Sequence, residues 1–285
     1  VALAIASHIG PATVHALQMS SKDINVGVGI ILHLVQRMFP VQLYVCGGYD
    51  GAQSLSSGER FDPVEGLAGS WEALPPMATR RAGPAAKVIG GRLYVCGGNN
   101  GVRRLCSVER FDPAVGVWEP LPPMSVRRAG LAAAVVSGVL YVCGGNDGVQ
   151  HLSSAERFTP GAGAWEPLPP MLSRRTGLAA ATVHGQLYVC GGNDGLHSLS
   201  SAERLDPAGG SWEALPPMST QRAGPAATVI GGQLYVCGGN NGVQRLNSAE
   251  RYDPSVGAWE DLPPMLARRA GLAAAVVAGQ LYVCG

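Results

Sequence analysis

No apolar run in this sequence reaches the roughly 20 residues that a membrane-spanning helix needs; the longest near the start covers residues 26–35. Charge of one sign is missing too. Twenty-one Lys and Arg face 20 Asp and Glu, leaving +1, so the bulk charge marks neither a nucleic-acid binder nor an anionic-membrane binder. No GxGxxG or GxxxxGK(S/T) opens a helix, so the many glycines are not phosphate loops. The histidines at 8, 15, 33, 151, 184 and 197 fall in no metal or triad spacing, and the seven cysteines form no CxxC pair. The apparatus of catalysis is therefore absent, and the expectation is a protein that is no enzyme and carries no cofactor or metal. Residues 1–6 lack both an initiator methionine and the basic flank of a signal peptide, as expected of a fragment.

What the sequence does have is a period. Trp71, Trp118, Trp165, Trp212 and Trp259 follow one another at 47 residues. LYVCG begins at 43, 93, 140, 187, 234 and 281, keeping that interval after one step of 50. The three extra residues fall in residues 64–70, a turn, where insertions are tolerated. Forty Gly and 21 Pro recur at fixed places in the repeat, which makes them turn and packing residues. Cys46, Cys96, Cys143, Cys190, Cys237 and Cys284 share one repeat position, so they are held apart and cannot bring their Cα atoms within the roughly 7 Å that a disulfide requires. They read as small buried hydrophobes in a reducing compartment; Cys106 is a lone substitution.

Within one unit, four short strands are expected at 131–137, 140–145, 152–158 and 164–168, broken by Asn146-Asp147-Gly148, by residues 160–163 and by Pro169-Pro170. Connections this tight allow only an antiparallel meander. Because LYVC is apolar throughout, each sheet must be covered on both faces by its neighbours, as blades stacked around an axis are. The Gly-Gly pairs (Gly97, Gly98, Gly144, Gly145, Gly191, Gly192, Gly238, Gly239) and the five Trp are then structural, with the glycines expected to admit a large ring from the next blade.

Gly-Gly, then ERFDP or ERYDP, then Trp and Leu-Pro-Pro-Met resembles the Kelch repeat over residues 43–285. It is most similar to the propellers of Kelch-like substrate adaptors, in which BTB and BACK domains precede the propeller and engage a cullin RING ubiquitin ligase. Neither is recognisable in residues 1–42. The resemblance implies a cytoplasmic protein-binding module, with an actin-binding or scaffolding Kelch protein as the alternative. A galactose-oxidase-like enzyme is a third reading, but it would need copper ligands and a Tyr–Cys cofactor, and Tyr and Cys meet here only inside LYVC.

The expected domains are an irregular segment or linker at 1–42 and a propeller at 43–285. Its repeats lie near 43–82, 83–129, 130–176, 177–223 and 224–270, with a partial one at 271–285. That gives five nearly complete blades plus a truncated sixth, derived from a six-bladed parent; alternatively, residues 272–277 supply the first strand of the blade at 43–77 and close a five-bladed ring. Residues 26–32 resemble a first strand, with 33–40 as an inserted loop.

In a meander the loops after the second and fourth strands share one face. That face collects Arg80, Arg81, Arg103, Arg104, Arg127, Arg128, Arg174, Arg175, Arg222, Arg245, Arg268 and Arg269 against Asp50, Asp147 and Asp194. Glu65, Glu72, Glu119, Glu166, Glu213, Glu260 and Asp261 are assigned to the opposite face. Arginine suits bidentate carboxylate pairing, so the basic face is expected to recruit a protein with an acidic segment. The residues expected to bind it are Arg103, Arg104, Arg127, Arg128, Gln150, His151, Arg174, Arg175, His197, Gln244 and Arg245. The series Arg81, Arg128, Arg175, Arg222 and Arg269 keeps a second reading open, structural pairing with strand groups. In the adaptors that the chain resembles, an Arg six residues after the Met holds acidic peptides. Here Gly83, Gly130, Gly177, Gly224 and Gly271 stand there, so that arrangement is not carried over.

Overall fold

A computed structural model describes residues 31–35, 42–62, 70–277 and 280–285. The first sheet is β1 (Ile31–Val35), β2 (Gln42–Cys46), β3 (Gly58–Asp62) and β4 (Ser70–Leu74). The second is β5 (Ala85–Ile89), β6 (Arg92–Cys96), β7 (Val108–Asp112) and β8 (Val117–Leu121), and the third β9 (Ala132–Val136), β10 (Val139–Cys143), β11 (Ala155–Thr159) and β12 (Ala164–Leu168). The fourth comprises β13 (Ala179–Val183), β14 (Gln186–Cys190), β15 (Ala202–Leu205) and β16 (Trp212–Leu215), the fifth β17 (Ala226–Ile230), β18 (Gln233–Cys237), β19 (Ala249–Asp253) and β20 (Ala258–Leu262). A last pair, β21 (Ala273–Val277) and β22 (Gln280–Cys284), stands as its own two-stranded sheet. Every sheet runs in sequence order with antiparallel neighbours. The chain is an all-β propeller of four-stranded antiparallel blades, five of them complete.

The N-terminal boundary differs from the sequence reading. β1 lies inside the segment read as irregular and pairs with β2, Ile31 opposite Cys46. The first-strand resemblance fell on residues 26–32, of which 26–30 lie outside the described residues, and the strand sits a few residues later. In the third blade, the third strand starts at Ala155 and not at 152. Leu152 N–H donates back to Gly145 O at 2.9 Å and Ser154 O accepts from Gly144 N–H at 3.1 Å, which closes a loop before the strand begins.

In the second to fifth blades tight hairpins join the first and second strands. Ser137 and Gly138 take φ of 49° and 78°, and His184 and Gly185 take 48° and 76°, the left-handed pair that suits a two-residue hairpin. The core lies between blades: Tyr141, Cys143 and Met171 of the third pack with Leu187, Val189, Leu205 and Trp212 of the fourth. Burial pushes the thiols of Cys96, Cys143 and Cys190 up to about 12, so they pack as neutral apolar groups.

Trp118, Trp165, Trp212 and Trp259 tie their blades to the ones before. Trp165 Nε1 donates to Pro122 O at 2.8 Å and Trp212 Nε1 to Pro169 O at 2.9 Å. Aromatic contacts alternate within and between blades: Phe158 lies 5.1 Å from Trp165 of its own blade and 6.4 Å from Tyr94 of the preceding one. The Gly-Gly pairs, however, do not face these rings. A Cβ on Gly144 would meet Arg175 O at 2.4 Å, then Leu178 and Met171. The close approach is made by a backbone carbonyl of the next blade, held by Gly145 N–H at 2.7 Å.

Candidate partner-binding face

Arginine occupies two adjacent positions in most of the loops that enter a blade, and the structure gives the two opposite fates. Arg128 is fully buried. Its Nη1 donates to Gly144 O at 2.9 Å and Ser154 O at 2.8 Å, its Nη2 to Ser154 Oγ at 2.9 Å and Glu156 Oε1 at 2.9 Å, and its Nε to Glu156 Oε1 at 3.2 Å. All five guanidinium donors are thereby used. Arg81, Arg175 and Arg222 repeat the arrangement with Glu109, Glu203 and Glu250. The other oxygen of each Glu accepts a loop N–H, such as Ser125 N–H at 2.8 Å from Glu156 Oε2. Arg128 and Arg175 are therefore removed from the expected binding residues: they are clamps that fix the entering loop to the third strand.

Two ends of this series are incomplete. Arg269 keeps one side-chain bond, Nη1 to Gly285 O at 2.6 Å. Glu59, at the position of Glu109, is exposed. Arg269→Ala is expected to cost about 1 kcal/mol or less in a urea melt. A loss equal to that of Arg222→Ala would mean instead that Arg269 has captured Glu59, and a double-mutant cycle with Glu59→Ala would then show coupling.

The outer strands account for the acids. Arg60, Arg110, Arg157, Arg204 and Arg251 pair across from Glu72, Glu119, Glu166, Glu213 and Glu260, and Arg92 pairs with Asp112. Five of the seven acids assigned to the opposite face are thus each paired with an arginine of the neighbouring strand. Asp261 also belongs elsewhere, because its Oδ1 accepts from Ser219 Oγ at 3.0 Å, in the loop entering the fifth blade. Glu65 lies outside the described residues.

Ten of the described arginines have a carboxylate partner. Those with none are Arg80, Arg103, Arg104, Arg127, Arg174, Arg245, Arg268 and Arg269, and all belong to the same set of loops. Two bonds confirm that the loops meet: Arg80 to Gln53 Oε1 and Arg268 to Gln244 Oε1. Arg103, Arg127, Arg174 and Arg245 are exposed, as are Gln150, His197 and Gln244. Arg104 and His151 are half-buried and lean on the next blade's loop tip, where a Cβ on Gly148 would meet Arg104 Cγ at 3.6 Å and one on Gly195 would meet His151 Nδ1 at 3.0 Å. They act as spacers between loops. Arg104 Nε is buried without a hydrogen-bond partner.

Three carboxylates on this face are committed. Asp147 Oδ1 accepts Gln150 N–H and Val149 N–H, which hold its carboxyl below the ordinary range; Gln53 with Ala52, and His197 with Leu196, do the same for Asp50 and Asp194. They stay charged, but their hydrogen-bonding capacity is largely turned inward.

At the centre of the face, one glycine per blade forms a collar. Gly130 N–H donates to Gly83 O at 2.9 Å, Gly177 to Gly130 at 2.7 Å, Gly224 to Gly177 at 2.7 Å and Gly271 to Gly224 at 2.9 Å. Gly83, Gly130, Gly177, Gly224 and Gly271 are the five residues of the collar. Their φ values run from 58° to 68°, and a Cβ on Gly130 would lie 2.8 Å from Thr176 Oγ1. The collar's geometry therefore resists a side chain there. Beneath it, a channel of about 80 Å³ is lined by Ala, Gly, Leu and Pro with Lys87, whose ammonium burial lowers to about 8. No group of His, Cys, Asp or Glu suited to a metal occurs among the described residues, and no helix there is long and apolar enough to cross a membrane.

The family model described as the Kelch motif matches residues 42–78, 80–125, 127–172, 174–219 and 221–266. The chain belongs to the Kelch-repeat family. Its propeller is similar to a solved structure described as "Structure of YjhT", with a TM-score of 0.74 and 16% identity over 89% of this chain and 88% of that one. At that identity the likeness concerns the fold. A comparison with curated protein sequences gives no match. Kelch propellers commonly serve as protein-interaction modules, and the face described above is where this one has binding groups to spare.

Proposed function

We propose that this Kelch propeller is a non-catalytic recognition module that binds a protein through an acidic segment laid across its arginine-bearing loop face. One observation carries the proposal: every described arginine without a carboxylate partner lies on that face. Exposed guanidinium groups offer bidentate sites for carboxylates, and the loops that bear them are fixed by internal hydrogen bonds before any partner arrives. Within this reading the chain acts as the substrate-recognition propeller of a Kelch-like ubiquitin-ligase adaptor in the cytoplasm, a role supported by the sequence resemblance alone. An actin-binding or scaffolding Kelch protein would use the same face without a ligase.

The test compares wild type with Arg103→Ala/Arg127→Ala/Arg174→Ala/Arg245→Ala, leaving the buried arginines intact. A fluorescent glutamate-rich peptide is expected to lose at least about tenfold in affinity, since exposed interface arginines lose about 1–2 kcal/mol when truncated. Wild-type affinity should also fall as salt rises. Equal binding by the two proteins would overturn the proposal.

A further inference from the structure

The tips of the same loops carry aliphatic side chains that the fold leaves in water. Val102, Val149, Leu196 and Val243 are 92%, 94%, 84% and 90% exposed, one per blade at the same repeat position. Nothing in the turn requires them. Its shape comes from the side chain two residues earlier: Asn100 Oδ1 accepts Val102 N–H at 3.0 Å and Arg103 N–H at 2.9 Å, and Asp194 Oδ1 accepts Leu196 N–H and His197 N–H, each at 2.8 Å. The first blade supplies an internal control. Ala52 occupies the tip there, and Asp50 Oδ1 accepts Ala52 N–H and Gln53 N–H at 2.8 Å in the same way. The atoms beyond Cβ on the other four tips are therefore surplus to folding.

We infer that the bound acidic segment also carries aliphatic side chains, and that Val102, Val149, Leu196 and Val243 seat them between the carboxylates held by arginine. The inference rests on the acidic-segment reading and deepens it. Charge divides the face between the two contacts. In the third and fourth blades the loop tips hold Gln150 and His197 with no arginine, and the ionised Asp147 and Asp194 lie directly beneath. A partner carboxylate would be repelled there, whereas an aliphatic group is accommodated. Arg103 and Arg245 take the carboxylates in the second and fifth blades, with Arg127 and Arg174 in the entering loops. The amides of Gln150 and Gln244 suit the peptide groups of a protein segment, and tips prefixed by hydrogen bonds lose little freedom on binding.

The experiment uses the full chain and two labelled peptides of equal charge, one alternating Glu with Ser and the other Glu with Leu. Wild type is expected to favour the Leu peptide by about tenfold, the gain from burying about two methylene groups. The variant Val102→Ser/Val149→Ser/Leu196→Ser/Val243→Ser should melt as wild type does, keep its affinity for the Ser peptide and lose the preference. Equal binding of both peptides by wild type would overturn this inference while leaving the acidic reading standing; binding of neither would overturn both. Tip-dependent binding to phosphatidylserine vesicles, with no preference for the Leu peptide, would overturn it in favour of a membrane surface.

Discussion

Arg128→Ala should destabilise the protein by about 3–5 kcal/mol, the range for stripping one partner from a buried ion pair, whereas its neighbour Arg127→Ala should stay within about 0.5 kcal/mol. Removing the Arg128 guanidinium strands Glu156 in a site that excludes water and takes from Gly144 O its donor, while Ser154 O keeps only Gly144 N–H. The entering loop loses one of its ties to Glu156 and keeps the Ser125 N–H bond. Arg127 is exposed and makes no such bonds. Melting temperature, read by circular dichroism, should fall on the order of 10 °C for Arg128→Ala. The sign of the binding effect should be reversed: at low temperature, where both variants are folded, Arg127→Ala weakens binding of the acidic peptide more. Equal melts for the two variants would refute the clamp.

That contrast also shows what the sequence could and could not disclose. The period, the meander and the both-sides-buried LYVC strand were legible because they depend on spacing and on an apolar run that needs two covers. The fate of Arg127 against Arg128 was not, since the two are chemically alike and only the register between an entering loop and the third strand decides which one meets Glu156. A signal was nevertheless present. Each buried Arg precedes its Glu by the same 28 residues, so the pairing is written in the sequence as a basic and an acidic residue recurring in fixed register. The opposite face was misjudged for a related reason. Glu166 is one of the acids assigned to that face, but the third and fourth strands place it opposite Arg157, and adjacent strands pair what a tally by loop keeps apart. The tip residues passed unnoticed because a lone Val in a turn says nothing by itself; its meaning lies in four repeats leaving one in water.

Gly144→Ala should be nearly as damaging as loss of the clamp, and for a reason that separates two costs usually confounded. Gly144 has φ of 62° and Gly138 has φ of 78°, so alanine at either position pays the left-handed penalty of about 1–2 kcal/mol. Around Gly138 an added Cβ meets nothing within 4 Å, but at Gly144 it lies 2.4 Å from Arg175 O. That carbonyl cannot withdraw freely. It is bonded to Gly145 N–H at 2.7 Å, and it belongs to the residue whose side chain is clamped by Ser201 and Glu203 in the fourth blade. Relieving the clash therefore moves the third blade against the fourth and loosens both the inter-blade hydrogen bond and the clamp. Gly138→Ala is expected to cost about 1 kcal/mol and Gly144→Ala about 3 kcal/mol or more, compared by urea unfolding. Because Gly144 O is itself an acceptor for Arg128, the double variant Gly144→Ala/Arg128→Ala should lose less than the two single losses combined. Strict additivity would mean that the glycine pair and the arginine clamp are independent supports; a shortfall of about 1 kcal/mol or more would show that the blades are joined through one shared socket.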